Sequence, residues 1–181
     1  MPKMHNSGTL LKNTLNWRIG KDIVALLSHH ANKDIHLRDE LVTLVFDNDC
    51  QISSNAAWIL THCSKSTLYE LEKRQQDFIS RCLSTDNATL HRLLLTILSK
   101  QHPPKSLPVP FLNRCLDGIQ NPSIAPGTQA LYIKLADRWS RNEKELHKEF
   151  CMLIAYMDKS LCSPAVLSAI RQINSFAASS E

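Results

Sequence analysis

Glycine is nearly missing from this chain, at 4 of 181 residues. A loop that cradles phosphate needs several glycines close together, and turn-dense β architecture needs them at its tight turns. Neither is indicated. Cysteine occurs six times, at 50, 63, 82, 115, 151 and 162, but never as C-x-x-C, so no zinc ribbon or thioredoxin-type redox pair is expected. No apolar run approaches the 18 or so residues that a spanning helix requires. The polar stretch 1–8 lacks an apolar signal core, which points away from secretion and, with unpaired cysteines, toward a reducing cytoplasmic setting. G-x-S-x-G, P-loop and H-E-x-x-H motifs are all absent. An excess of one charge is lacking too. The 21 basic and 17 acidic residues leave +4, milder than the clustered charge of dedicated nucleic-acid binders.

What the chain does have is a helical stripe that returns every 35 to 38 residues. It appears at Ala57-Leu60-Cys63, Leu95-Leu98, Ala130-Ile133-Ala136 and Leu167-Ile170-Ile173. A polar break follows each, then in the complete units a second amphipathic stretch. That period marks stacked helical hairpins, none of which can bury its own apolar face.

The breaks divide the chain as follows. Residues 1–8 are expected to be a disordered lead-in, and Leu10 to Leu15 a short capping helix. Trp17 to His30 predicts a helix, as does the stripe Leu37, Leu41, Leu44 and Val45. Ser53 or Ser54 is expected to cap the next helix, and the capping-box spacing of Thr67 and Glu70 to open one long helix to Leu83. Leu90 to Leu98 is almost continuously apolar and predicts a helix buried on most sides. Prolines 103, 104, 108 and 110 predict the longest irregular segment, 101–110. Helices are then expected over 111–118 and 128–140, after a capping box at Asn142 and Glu145, and from Ser163-Pro164 to a fraying end.

The stretches Asn55-Ala56-Ala57-Trp58-Ile59-Leu60 and Gly127-Thr128-Gln129-Ala130-Leu131-Tyr132-Ile133-Lys134-Leu135, about two repeats apart, resemble the inner packing helices of HEAT and armadillo repeats. The resemblance covers roughly residues 17 to 178. It implies an all-α fold, a right-handed α-α superhelix of about nine helices in antiparallel pairs, forming one repeat domain over 9–181. It implies no functional residues. Proteins of that class serve mainly as protein-binding scaffolds, and a minority bind nucleic acid or act on alkylated DNA.

Reading the repeat in register aligns one group of side chains. Lys65, Lys100 and Arg138 fall at equivalent positions near the ends of first helices, and Lys134 and Arg171 form a second equivalent pair. Stacked units would line these up as a basic edge suited to phosphates or an acidic partner. The simpler account is that cations near helix C-termini complement the helix dipole. Second helices, expected on the concave face, carry Lys73, Arg74, Asp77, Arg81, Arg114, Lys144 and Lys148. Trp58, Tyr132 and Trp139 are expected to pack between repeats, and Cys63, Cys82, Cys115 and Cys151 to be buried. His29, His30, His36, His62, His91, His102 and His147 show no ligand spacing, so no metal site is expected. Glu70 with Glu72 and Glu143 with Glu145 sit at i, i+2, read as first-turn acids rather than a catalytic pair. No cofactor, catalytic residue or membrane contact is expected. The favoured function is a non-enzymatic module that binds a protein or peptide. The alternative is a nucleic-acid-binding repeat of the DNA-alkylation-repair kind, using the basic edge.

Overall fold

The computed structural model describes residues 7–178, with side chains over 10–173. Among them every regular element is helical: α1 Ser7–Leu15, α2 Lys21–Ala31, α3 Ile35–Val45, α4 Cys50–Thr61, α5 Lys65–Glu70, α6 Gln75–Ser84, α7 Ala88–Lys100, α8 Val109–Ile119, α9 Pro126–Ser140, α10 Lys144–Tyr156 and α11 Pro164–Ala178, with 3₁₀ turns at Leu71–Arg74 and Lys159–Leu161. The all-α repeat fold is therefore as the sequence reads. Of the expected lead-in, residues 1–6 lie outside the described residues, and Ser7 and Gly8 open α1. The expected fraying end beyond Ala178 is also outside them.

The chain divides into two compact units, residues 1–101 and residues 102–181. The division falls at the start of the proline-rich segment, within what the sequence reads as one domain. In the first unit α3 and α4 pack together, α4 packs against α7, and α6 lies on α7. The core is built from Leu41, Val45, Ile59, Leu60, Leu68, Phe78, Leu94 and Leu98, all at 1% exposure or less. In the second unit α9 is central, with α8, α10 and α11 packed on it. Its core holds Phe111, Trp139 and Phe150, the first two with ring centroids 5.2 Å apart. α8 comes close to α9 because residue 118 is glycine: a Cβ there would lie 2.3 Å from the Tyr132 ring.

Several helix starts differ from expectation. Asp49, not Ser53 or Ser54, caps α4, its carboxylate accepting from the Gln51 and Ile52 amides. Ser53 instead lies inside the helix and donates back to the Asp49 carbonyl. Ser64 caps α5, which places Thr67 within the first turn rather than at its start. Asn142 makes no cap; Glu143 occupies that position without a side-chain bond. α2 begins at Lys21, not Trp17, and Trp17 is 74% exposed. α9 begins two residues early, at Pro126, whose fixed φ suits a first helical position.

The largest departure is the helix expected over 67–83, which is two helices joined by a 3₁₀ turn. A buried side chain accounts for it. Gln101, with 0% exposure, donates from Nε2 to the Leu68 carbonyl at 3.1 Å. It also accepts from Gln75 Nε2 at 3.4 Å. An outside donor on that carbonyl replaces an α-helical bond, and the turn tightens to 3₁₀ geometry. Counting this break and the capping helix α1, the described residues form eleven α-helices where the repeat reading has about nine.

Candidate functional site

The first unit places one buried and two half-buried cations on helix ends. Arg38 is 5% exposed. Its guanidinium donates to the Ala31 carbonyl at 3.0 Å and the Asn32 carbonyl at 3.3 Å, both at the C-terminus of α2, and pairs with Glu70. Arg81 Nη2 donates to the Asp47 carbonyl beyond the end of α3, at 3.1 Å. Lys100 Nζ donates to the carbonyl of Thr61, the last residue of α4. Each cation thus reaches a carbonyl that its own helix leaves without an intrahelical partner, where negative partial charge collects.

The predicted basic edge must be read against these bonds. Lys100 is half-buried and held on Thr61. Lys65 is exposed, but it is the first residue of α5, not near the end of a first helix. In the second unit Lys134 and Arg138 lie one turn apart on α9, Lys134 exposed and Arg138 half-buried, and Arg171 is exposed on α11, which packs on α9. Three of the five residues therefore share a unit, and the other two belong to the first unit. Of the cations assigned to second helices, Arg81 is on Asp47, and Arg74 pairs with Asp77 while lying 5.7 Å over the Phe46 ring. Glu70 is the last residue of α5 rather than a first-turn acid, and its partner is Arg38.

Aromatic packing holds for Trp139 and Tyr132, at 1% and 2% exposure. Trp58 is only half-buried, and it lines an open groove of about 280 Å³ with Gln51, Ser54, Asn55, Thr89, Arg92 and Leu93. Asn55 fixes one side of that groove: its Nδ2 donates to the Leu15 and Trp17 carbonyls at 2.8 and 2.9 Å, holding the link between α1 and α2. Lys12 ties α1 to Asp47 at 2.6 Å, and this bond, ahead of the Asp49 amide, keeps the Asp47 carboxyl below its ordinary range.

The larger cavity belongs to the second unit. It measures about 560 Å³ and is bounded by the end of α8 and the loop to α9 (Ile119, Pro122, Ile124), and by the α10–α11 connection (Tyr156, Met157, Leu161). Tyr156 and Leu161 are 83% and 85% exposed. Two large apolar side chains left this open beside a cavity are unusual on a solvated surface. Tyr156 ends α10, within the expected helix but off its apolar face, and Leu161 ends the 3₁₀ turn that follows, so the periodicity singles out neither.

Three of the four cysteines expected to be buried are so: Cys63, Cys82 and Cys115. Burial pushes the Cys63 thiol up to about 11, against the opposing charges of Arg38 and Lys100. Cys151 is exposed instead. Phe150 and Ile154 turn the core face of α10 inward, and Cys151 sits a residue on from Phe150, about 100° around the helix. Its thiol is raised by partial burial and by Asp137, with Arg141 opposing. A reactive thiolate would need the reverse shift. His147 lies one turn before Cys151, and their i, i+4 spacing is the sequence signal that brings the two side chains together.

A family model described as a HEAT repeat domain matches residues 11–176. No curated protein and no solved structure matches the chain.

Proposed function

We propose, from the premise that this chain belongs to the HEAT repeat family, that it is a non-enzymatic scaffold that binds a protein partner through its second unit. The observation that carries this reading is the 560 Å³ cavity with Tyr156 and Leu161 at its rim. Binding energy at protein interfaces concentrates in a few large side chains, tyrosine prominent among them, that fill pockets. Here the cavity and the protruding side chains adjoin. The sequence reading of a cytoplasmic location belongs with this proposal; no helix among the described residues is long and apolar enough to cross a membrane.

The test is affinity capture from a native extract, comparing the wild-type chain with a Tyr156→Ala, Leu161→Ala double variant and with Leu10→Ala, which removes an exposed leucine from the other unit. A partner should be retained by the wild type and by Leu10→Ala, and weakened at least about tenfold by the double variant, the scale of losing a hot-spot contact. Equal capture by all three would overturn the assignment to this cavity.

A second reading, binding of nucleic acid, is favoured by one observation: Lys134, Arg138 and Arg171 lie on two helices packed together. A phosphate-binding edge should show affinity that falls steeply with salt. Charge reversal at Lys134 and Arg138 should abolish it. Failure to bind duplex or single-stranded DNA at low salt would end that reading.

A further inference from the structure

His147 and Cys151 stand one turn apart on α10, so their side chains are neighbours. His147 Nε2 and Cys151 Sγ lie 3.7 Å apart. The other ring nitrogen, Nδ1, lies 3.0 Å from Ser140 Oγ. That hydroxyl has one proton to give, and the Asp137 carbonyl, 3.4 Å away, accepts it. With its proton on that carbonyl, Ser140 is an acceptor toward the ring; the tautomer that matches this arrangement carries its proton on Nδ1 and turns the Nε2 lone pair toward the thiol. Ser140 is 1% exposed, and Phe150 stacks against the ring at 6.0 Å with an interplanar angle of 26°. The ring is therefore held from two sides, which is how an outer group fixes a metal-binding histidine.

A tetrahedral zinc ion takes nitrogen at about 2.0–2.1 Å and thiolate sulfur at about 2.3 Å, which sets the two ligand atoms about 3.6 Å apart. The observed separation already matches this. We propose that His147 Nε2 and Cys151 Sγ are a two-ligand site for a divalent ion of the zinc class, with Ser140 as the positioning residue for the imidazole. On binding, the Cys151 S–H bond breaks, its proton leaves to solvent, and a metal–sulfur bond forms; the neutral imidazole gives its Nε2 lone pair. Water fills the remaining positions. Among the described residues no cluster of three or more His, Cys, Asp or Glu is placed to hold a metal. Asp137 is no third ligand, because its Oδ2 is engaged by Arg141 at 2.7 Å. The inference does not depend on the cavity or its partner.

The test is titration of the full chain with Co²⁺ alone, followed by the absorption of the cobalt–thiolate bond. The band should saturate at one ion per chain and be displaced by Zn²⁺. It should persist in Cys50→Ser, vanish in Cys151→Ser, and need about tenfold more metal in Ser140→Ala. Because one thiol proton is released, apparent affinity should rise about tenfold per pH unit between the histidine and thiol ranges. A readout needing no variant is alkylation mapped by mass spectrometry: Zn²⁺ should slow modification of Cys151 and leave Cys50, also exposed, unaffected. A cobalt–thiolate band that survives Cys151→Ser, or alkylation of Cys151 that Zn²⁺ does not slow, would overturn the proposal.

Discussion

The two units hold their helices by different means. In the first, polar side chains reach across from one helix to the exposed backbone of another: Arg38 to Ala31 and Asn32, Arg81 to Asp47, Lys100 to Thr61, Gln101 to Leu68 and Asn55 to Leu15 and Trp17. Side chains of Asp34, Asp49, Ser64 and Asn87 cap α3, α4, α5 and α7, while α2 and α6 start without one. In the second, α8, α9 and α10 have no side-chain cap, α8 and α9 carry proline in their first turn instead, and Ser163 caps α11 by accepting from the Val166 amide at 3.3 Å. Here Gln129 reaches back from α9 and donates to the Ile119 and Asn121 carbonyls at 3.1 and 2.9 Å. A helix tied by side chains resists being pulled from its neighbour. One set by proline is rigid at its start but less tied elsewhere. The large cavity and the exposed Tyr156 and Leu161 belong to the second unit.

Three substitutions would break or sharpen this contrast. The largest effect is expected from Arg38→Ala, which leaves the Ala31 and Asn32 carbonyls and Glu70 without their cation. A loss of about 3 kcal/mol, the scale of hydrogen bonds to a charged group, should appear in urea unfolding. Hydrogen exchange should then quicken over residues 21–100 and stay slow in α9; equal acceleration in both units would mean they do not unfold separately. Lys100→Ala should cost about 1 kcal/mol, the scale of a cation at a helix C-terminus. If Lys100→Ala proved neutral to stability, the Thr61 bond would count for little, and the residue would return to the basic edge. The smallest effect belongs to the second unit. Pro126→Ala should cost about 0.5 kcal/mol, through added freedom of the unfolded chain rather than a lost contact. Thermal unfolding would show this as a small downward shift, and a loss as large as that of Arg38→Ala would erase the distinction between the units.

The fold was legible because burial follows the helical period. The stripe at Leu90 to Leu98 marked α7, whose Leu90, Leu94, Leu95, Ile97 and Leu98 are buried. What periodicity could not show is where a side chain far along the chain takes a backbone group. Thr67 and Glu70 have the spacing of a capping box, yet Asn32 Oδ1 accepts from Thr67 Oγ1 at 2.9 Å and Glu70 goes to Arg38. The break after Glu70 depends on Gln101, some thirty residues later. The basic edge meets the same limit. Register aligned Lys65 with Lys100, but one opens a helix and the other closes the end of α4. The cavity was hidden because connections carry no period, and Cys151 was misplaced because an apolar neighbour says nothing about the next 100° of the helix.

Gly118 carries one more consequence. Its missing side chain is the space that the Tyr132 ring fills. Position 118 thus answers to position 132. A lineage that gains a side chain at 118 must first or simultaneously trade the ring at 132 for something smaller, and one that keeps the tyrosine has no route away from glycine. Drift at 118 waits on a change at 132, while a change at 132 asks nothing of 118.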